Sequence, residues 1–223
     1  MIRRDYILRM IEEFVQILAR IKSLKQDQLW PEADSTLTEE FKRLLGSGPE
    51  EIANFSDTEL LAKVIQGEET SLAVRDKTLM LVTLLHEAGD LAVAQEKTAR
   101  SRVFYLKGLH LLLDVLARGG LNEFPEFVPK VETFVSALQD CALPIETHGL
   151  LMRHYEKTGE FAKAEDALFA MLELSPDNPL LVDFGIAFYR RLAGHSDANL
   201  AAGDLPRQEL EAGLAELEGR NQT

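Results

Sequence analysis

The sequence predicts an all-α protein, and three observations carry that expectation. Leu and Ala supply 60 of the 223 residues, whereas Val and Ile supply 20. Leu and Ala lose little freedom in a helix, and β-branched residues favour strands. Apolar residues recur at three- and four-residue spacing, and no segment reads as a strand. The 14 Gly and 8 Pro are too few for a low-complexity chain, and they fall as punctuation between periodic segments. An apolar fraction of 46% argues against global disorder. These features predict about ten helices in one domain over residues 1–223.

The first helix is expected over 2–26. Its polar positions 5, 9, 12, 13, 16, 20 and 23 form one stripe, and Ile2, Tyr6, Ile7, Met10, Ile11, Phe14, Leu18, Ile21 and Leu24 fill a wide apolar arc. An arc that wide needs two neighbouring helices. A second helix spans Pro31 to Leu45, and Gly46-Ser47-Gly48-Pro49 breaks the chain before a short segment to Phe55. Ser56-Asp57-Thr58-Glu59 is a capping-box pattern that opens a helix through Ile65, and Gly67 ends it. The next helix is expected from Glu68 to Glu87, with a turn at Gly89-Asp90. Leu91 to Ala117 then reads as one long helix, or as two with a bend near Ser101, stopped by Gly119-Gly120. Pro125 and Pro129 flank the entry to a helix ending near Gln139. Pro144 fits the first turn of a helix that ends before Gly159, and another covers Glu160–Leu174. Pro176-Asp177-Asn178-Pro179 is a turn and a start signal for a helix to Leu192. Gly194 to Asp204 is expected as a mobile small-residue loop. A last helix over 206–218 carries a narrow stripe of Leu210, Leu214 and Leu217 that can cap the stack.

Charge excludes some classes of function. The net charge is −13, so a phosphate backbone would be repelled and no nucleic-acid partner is expected. The first 26 residues carry six Lys and Arg against three Asp and Glu, net +3, which leaves −16 for the remainder. Acids at 5, 12 and 13 interrupt any signal-peptide core. The densest apolar runs, Leu79–Leu85 and Leu109–Leu116, contain Thr83, His110 and Asp114, so they read as core helices and no membrane span is expected. One cysteine, Cys141, leaves no intramolecular disulfide and reads as a small buried filler. A cytoplasmic location fits.

The most informative stretch is 145–178, IETHGLLMRHYEKTGEFAKAEDALFAMLELSPDN. Two helices of similar length are joined by Thr158-Gly159-Glu160. Leu151, Met152, Tyr155, Gly159, Phe161, Ala164, Leu168, Met171 and Pro176 stand where a 34-residue helix-pair repeat needs them. This stretch resembles a tetratricopeptide repeat, departing from it at Met152 and Met171. Val182 and Tyr189 continue the pattern, and residues 81–94 and 17–37 echo it weakly. The resemblance implies antiparallel helix pairs stacked as a right-handed array, with degenerate pairs over 1–120. The opening RRDYILRMIEEFVQILARI also resembles a family of uncharacterised bacterial proteins with repeat-like helical folds.

In tetratricopeptide arrays the first helix of each pair lines a concave groove. That likeness implies a groove carrying Arg153 and Lys157, with Arg190 and Arg191 from the trailing helix and Lys22 and Lys25 from the N-terminal unit. Arginine forks bind carboxylates in pairs, so the expected partner is a protein or an acidic peptide. Self-association into a homodimer, through the apolar first helix, is the second reading. No catalytic residue, cofactor or metal is expected. Two pairs, His86 with Asp90 and His110 with Asp114, have i,i+4 spacing and could together offer four ligands in a metal-binding helical enzyme. The chain has no Glu-x-x-His, no phosphate-binding Gly loop and no nucleophile elbow.

Overall fold

The computed structural model describes residues 2–68, 70–119, 124–176 and 178–220, with side chains from residue 7 onward. Every regular element among the described residues is a helix. There are twelve, ten of them seven residues or longer. The all-helical expectation therefore holds. Contacts gather into two compact units, 1–142 and 143–223. Gly120 and Asp177, read above as part of a stop and a turn, lie outside the described residues, as do the side chains of Ile2 and Tyr6.

The first unit holds α1 (Ile2–Gln26), α2 (Trp30–Leu45), α3 (Pro49–Asn54), α4 (Asp57–Ile65), α5 (Ser71–Ala94), α6 (Thr98–Arg118) and α7 (Val131–Ala137). Helix α1 packs on α2 and α5, the two neighbours its wide apolar arc requires. It inserts Phe14, Leu18 and Ile21 into the core, and Phe14 meets Phe127 edge-on at 5.2 Å between ring centres. The capping box forms as expected. The Ser56 hydroxyl accepts the Glu59 amide at 3.2 Å, and the Glu59 carboxylate accepts the Ser56 amide at 2.7 Å. Residues Leu79–Leu85 are wholly buried, which makes α5 the central helix.

Two expected breaks fail in this unit, for one reason. Helix α5 does not turn at Gly89-Asp90 but continues to Ala94. The break comes at Gln95–Lys97, where Glu96 takes a left-handed φ of 59°. Helix α6 then runs unbroken from Thr98, with no bend at Ser101. Gly89 serves packing here. A Cβ built on it would lie 2.4 to 2.8 Å from three carbons of the Tyr105 ring. The glycine lets α6 come close to α5, and these two helices form the most extensive contact in the unit. Cys141 is partly exposed where its amide closes a turn onto the Leu138 carbonyl at 2.9 Å. It is not the buried filler expected.

The second unit holds α8 (Ile145–Thr158), α9 (Phe161–Leu174), α10 (Pro179–Leu192), α11 (Asp197–Ala202) and α12 (Arg207–Arg220). Pro144 is the N-cap of α8 and lies just before its first turn. Gly159 caps α8 in the left-handed region, and α9 folds back onto it. Leu151, Met152, Tyr155, Phe161, Ala164, Leu168 and Met171 are all buried between or beneath these helices. Helix α10 packs chiefly on α12. Gly213 of α12 admits the Tyr189 hydroxyl of α10, which would stand 2.3 Å from an added Cβ.

The stretch 194–204, expected as a loop, contains α11. Ser196 caps it by accepting the Asn199 amide at 3.2 Å. Leu200 and Leu205 are fully buried, and the Gly203 carbonyl accepts the Ala162 amide at 2.9 Å. Arg207 ties the stretch down through the carbonyls of Ala193 and His195.

Replacing Gly89 by Ala forces the Tyr105 ring aside. The expected loss is about 1–3 kcal/mol of unfolding free energy, beyond any gain in helix propensity. Gly219→Ala, with open space around it, leaves stability unchanged or slightly raised. Urea unfolding followed by circular dichroism compares the two.

Candidate functional site

Two places bring charged side chains together, one in each unit. In the second unit, α8 presents Arg153 and Lys157 outward, both exposed. The outward line of α10 runs Leu180, Phe184, Ala187 and Arg191, spaced i, i+4, i+7 and i+11. Leu180 is 74% and Phe184 36% exposed. Arg191 reaches back to α8 and donates to Glu156 through two guanidinium nitrogens, Nε at 2.7 Å and Nη2 at 2.9 Å. The Glu156 hydrogen bond raises its pKa, against the opposing effect of burial. Arg190 leans the other way, to Glu218 of α12 at 2.8 Å. Asp183, Ile186, Ala187, Arg190 and Arg191 line a shallow depression on this helix. Arg153 has no ion pair or hydrogen bond among the described residues.

The other two expected groove residues are placed in the first unit. Lys25 turns inward from the last turn of α1 and donates to Glu87 at 2.5 Å and to Asp90 at 2.7 Å. Lys22 approaches the same Glu87 at 3.9 Å. Burial would lower the Lys25 pKa, but the charges of Glu87 and Asp90 outweigh it and raise it. Tyr105 of α6 donates to the second Asp90 oxygen at 2.8 Å. Burial, and then the Asp90 charge, push the Tyr105 pKa far up, so it stays a donor. His86 completes the group. Its ring is edge-on to Phe134 at 5.3 Å, and burial lowers its pKa against the pull of Asp90 and Glu87.

His86, Glu87 and Asp90 place one ligand atom each within 4.8 Å of one another. That spacing could hold a cation, and the cation seated there is the Lys25 ammonium. The four-ligand site imagined from two His–Asp pairs does not assemble. His110 bonds Asp57 at 2.7 Å, and Asp114 bonds Arg118 at 2.8 Å. Burial would raise the Asp57 pKa, but His110 more than offsets it and lowers it. Sequence reasoning found His86 and Asp90 by spacing but missed Glu87 beside them on α5, and missed Lys25 and Tyr105 as partners because those contacts cross between helices.

A second tyrosine–carboxylate contact lies in the C-terminal unit. The Tyr189 hydroxyl donates to Glu165. Burial raises the Glu165 pKa. The Tyr189 bond works against this shift, while the charges of Glu209, Asp166 and Glu216 add to it.

Fold and sites together define an all-helical protein, with no strand among its described residues. No described helix is long and apolar enough to cross a membrane. Residues 1–222 match a family of unknown function, DUF6483, and the chain belongs to that family. No curated protein and no solved structure matches it. The likeness of the opening segment to an uncharacterised family holds at that level.

Glu165 has a folded pKa above its ordinary value of 4.5. Its ionisation therefore weakens the fold as pH rises through and above that value, and costs nothing below it. Glu165→Gln keeps an acceptor for Tyr189 and removes the charge. The variant should melt higher than the parent at pH 7, and the difference should close as the pH falls below about 4.5. Thermal melts across pH 3.5–8 read both limbs.

Proposed function

We propose that the protein is a non-catalytic protein-interaction module, and that its C-terminal unit receives an acidic peptide on the face formed by α8 and α10. One observation carries this reading. Residues 143–223 contain seven Lys and Arg against fourteen Asp and Glu, net −7, yet four of the seven cations (Arg153, Lys157, Arg190 and Arg191) are exposed on α8 and α10. A cation-bearing strip on an acidic body concentrates attraction for carboxylates where the rest of the surface repels them.

We read α8–α9 and α10–α12 as two tetratricopeptide-like pairs, the second interrupted by α11. The buried Ala164, the Gly159 cap and the Glu156–Arg191 bond, 35 residues apart and close to one repeat, support this reading. On it, α8 and α10 are the first helices of successive pairs and line the concave side. Lys22 and Lys25 are left out of the binding face because they serve Glu87.

A second reading, compatible with the first, is self-association through α1. Leu8 and Val15 stand one heptad apart on its surface, 50% and 43% exposed. Light scattering coupled to size exclusion should then give a dimer at low and high salt, and Leu8→Glu a monomer. A monomeric parent protein sinks this second reading.

For the peptide site, the probe is fluorescein-labelled hexaglutamate titrated with the full chain and followed by anisotropy. Binding should weaken as salt rises. Arg153→Glu combined with Arg190→Glu should weaken it by about tenfold or more, the equivalent of one charge-assisted hydrogen bond. Lys63→Glu, on α4, serves as control. Equal binding by the double variant and the control would overturn the site.

A further inference from the structure

The geometry points to a more particular ligand for the α8–α10 face: a short extended acidic segment that carries a large aliphatic or aromatic side chain about five residues from its carboxylates. This inference rests on the peptide-binding reading above and deepens it.

The argument starts from the outward line of α10. Its chemistry changes along the helix, from apolar Leu180 and Phe184, past the small Ala187, to Arg191. Single exposed apolar residues are ordinary on a protein surface. Here two of them share one helix line, one being 74% exposed, and Leu174 at the end of α9 adds a third large exposed apolar side chain, five residues before α10 begins. Asn178 sets where that line begins, because its side chain accepts the Leu180 amide at 3.1 Å and starts the helix there.

The basic end has a carboxylate-binding geometry already in use. Arg191 holds the Glu156 carboxylate through two nitrogens, so its fork is oriented for a planar anion. Arg153, on the same outward side of α8 as Lys157, has no ion pair among the described residues to compete with a ligand acid. Asp183 lies on the depression side of α10, beside Ile186 and Arg190. The polarity of the α10 line sets the direction of the ligand, with its acids toward Arg191 and Arg153 and its apolar side chain toward Phe184 and Leu180.

Length completes the match. Eleven residues of helix from Leu180 to Arg191 rise about 16 Å. An extended peptide covers that span in about five residues. A hexaglutamate chain satisfies only the basic end and leaves Phe184 and Leu180 in water.

The test compares two peptides, Leu-Ser-Ser-Ser-Ser-Glu-Glu and Ala-Ser-Ser-Ser-Ser-Glu-Glu, each carrying fluorescein through the same Gly-Gly linker. The full chain should bind the leucine peptide about tenfold more tightly, the expected gain from burying one leucine side chain beyond alanine. Phe184→Ser should erase that difference and leave the alanine peptide unchanged. Leu180→Ser, at a more exposed position, provides a second variant with unperturbed folding, checked by circular dichroism. Arg153→Glu should weaken both peptides together. Equal affinity of the two peptides for the parent chain would overturn this inference and leave the acidic-peptide reading standing. Failure of both peptides to bind would overturn both.

Discussion

The first unit depends on the burial of one carboxylate. The Glu87 side chain is only 5% exposed, and a buried carboxylate without a partner costs several kcal/mol in a protein interior. A cation from another helix answers it, Lys25 in the last turn of α1. That requirement sets the register of α1 against α5, since the ammonium must reach Glu87 and Asp90 together. Asp90 then hands its other oxygen to Tyr105, which ties α6 to the same point. Gly89 lies between His86 and Asp90 on this stretch of α5, and its missing side chain is the space that the Tyr105 ring occupies. One buried charge thus fixes three helices.

The C-terminal unit repeats the device with a different polarity. Tyr189 of α10 enters the space that Gly213 leaves on α12 and donates to Glu165 of α9. In both units a glycine admits a tyrosine whose hydroxyl ends on a carboxylate from a third position. The first carboxylate, Asp90, has a lysine to share. The second, Glu165, has further acids around it and carries a raised pKa in consequence. The Lys25 charge therefore stabilises the junction on α5, whereas ionisation of Glu165 weakens the one on α9.

Helix content, most boundaries and the hairpin core were legible because they depend on local pattern. The Ser56 box, the Gly159 cap and the burial of Tyr155, Ala164 and Leu168 all follow from spacing within one or two turns. The misreadings share a cause. Gly89-Asp90 looks like a stop if only its own chain neighbours count, because the reason for the glycine is Tyr105, sixteen residues away. The true break at Gln95–Lys97 has no Gly or Pro to announce it, and Glu96 adopts a left-handed backbone there. Likewise 194–204 reads as loop from its small residues, although Leu200 and Leu205 sit in the core and α11 with them. Of the candidate site, the cations of α8 and α10 were visible in the sequence. Which of them had internal acids was not, since Glu156 and Glu218 lie 35 and 28 residues from their partners.

That distinction separates structural charge from charge available to a ligand. Several cations of this chain are matched within one turn, as Arg118 is to Asp114, Lys163 to Glu160 and Arg220 to Glu216. Such exposed pairs contribute little to stability, and their main effect is to cancel the local field. Lys25 is matched across 62 residues to a buried acid and cannot leave without cost. The cations of α8 and α10 fall between these limits. Arg191 shares its fork with Glu156, whose side chain is 23% exposed, so a ligand carboxylate has to compete with that internal acid. Arg153 needs no release at all. Arg153 on the outward side of α8, with exposed Phe184 and Leu180 on α10, is what the proposed carboxylate-bearing partner would meet.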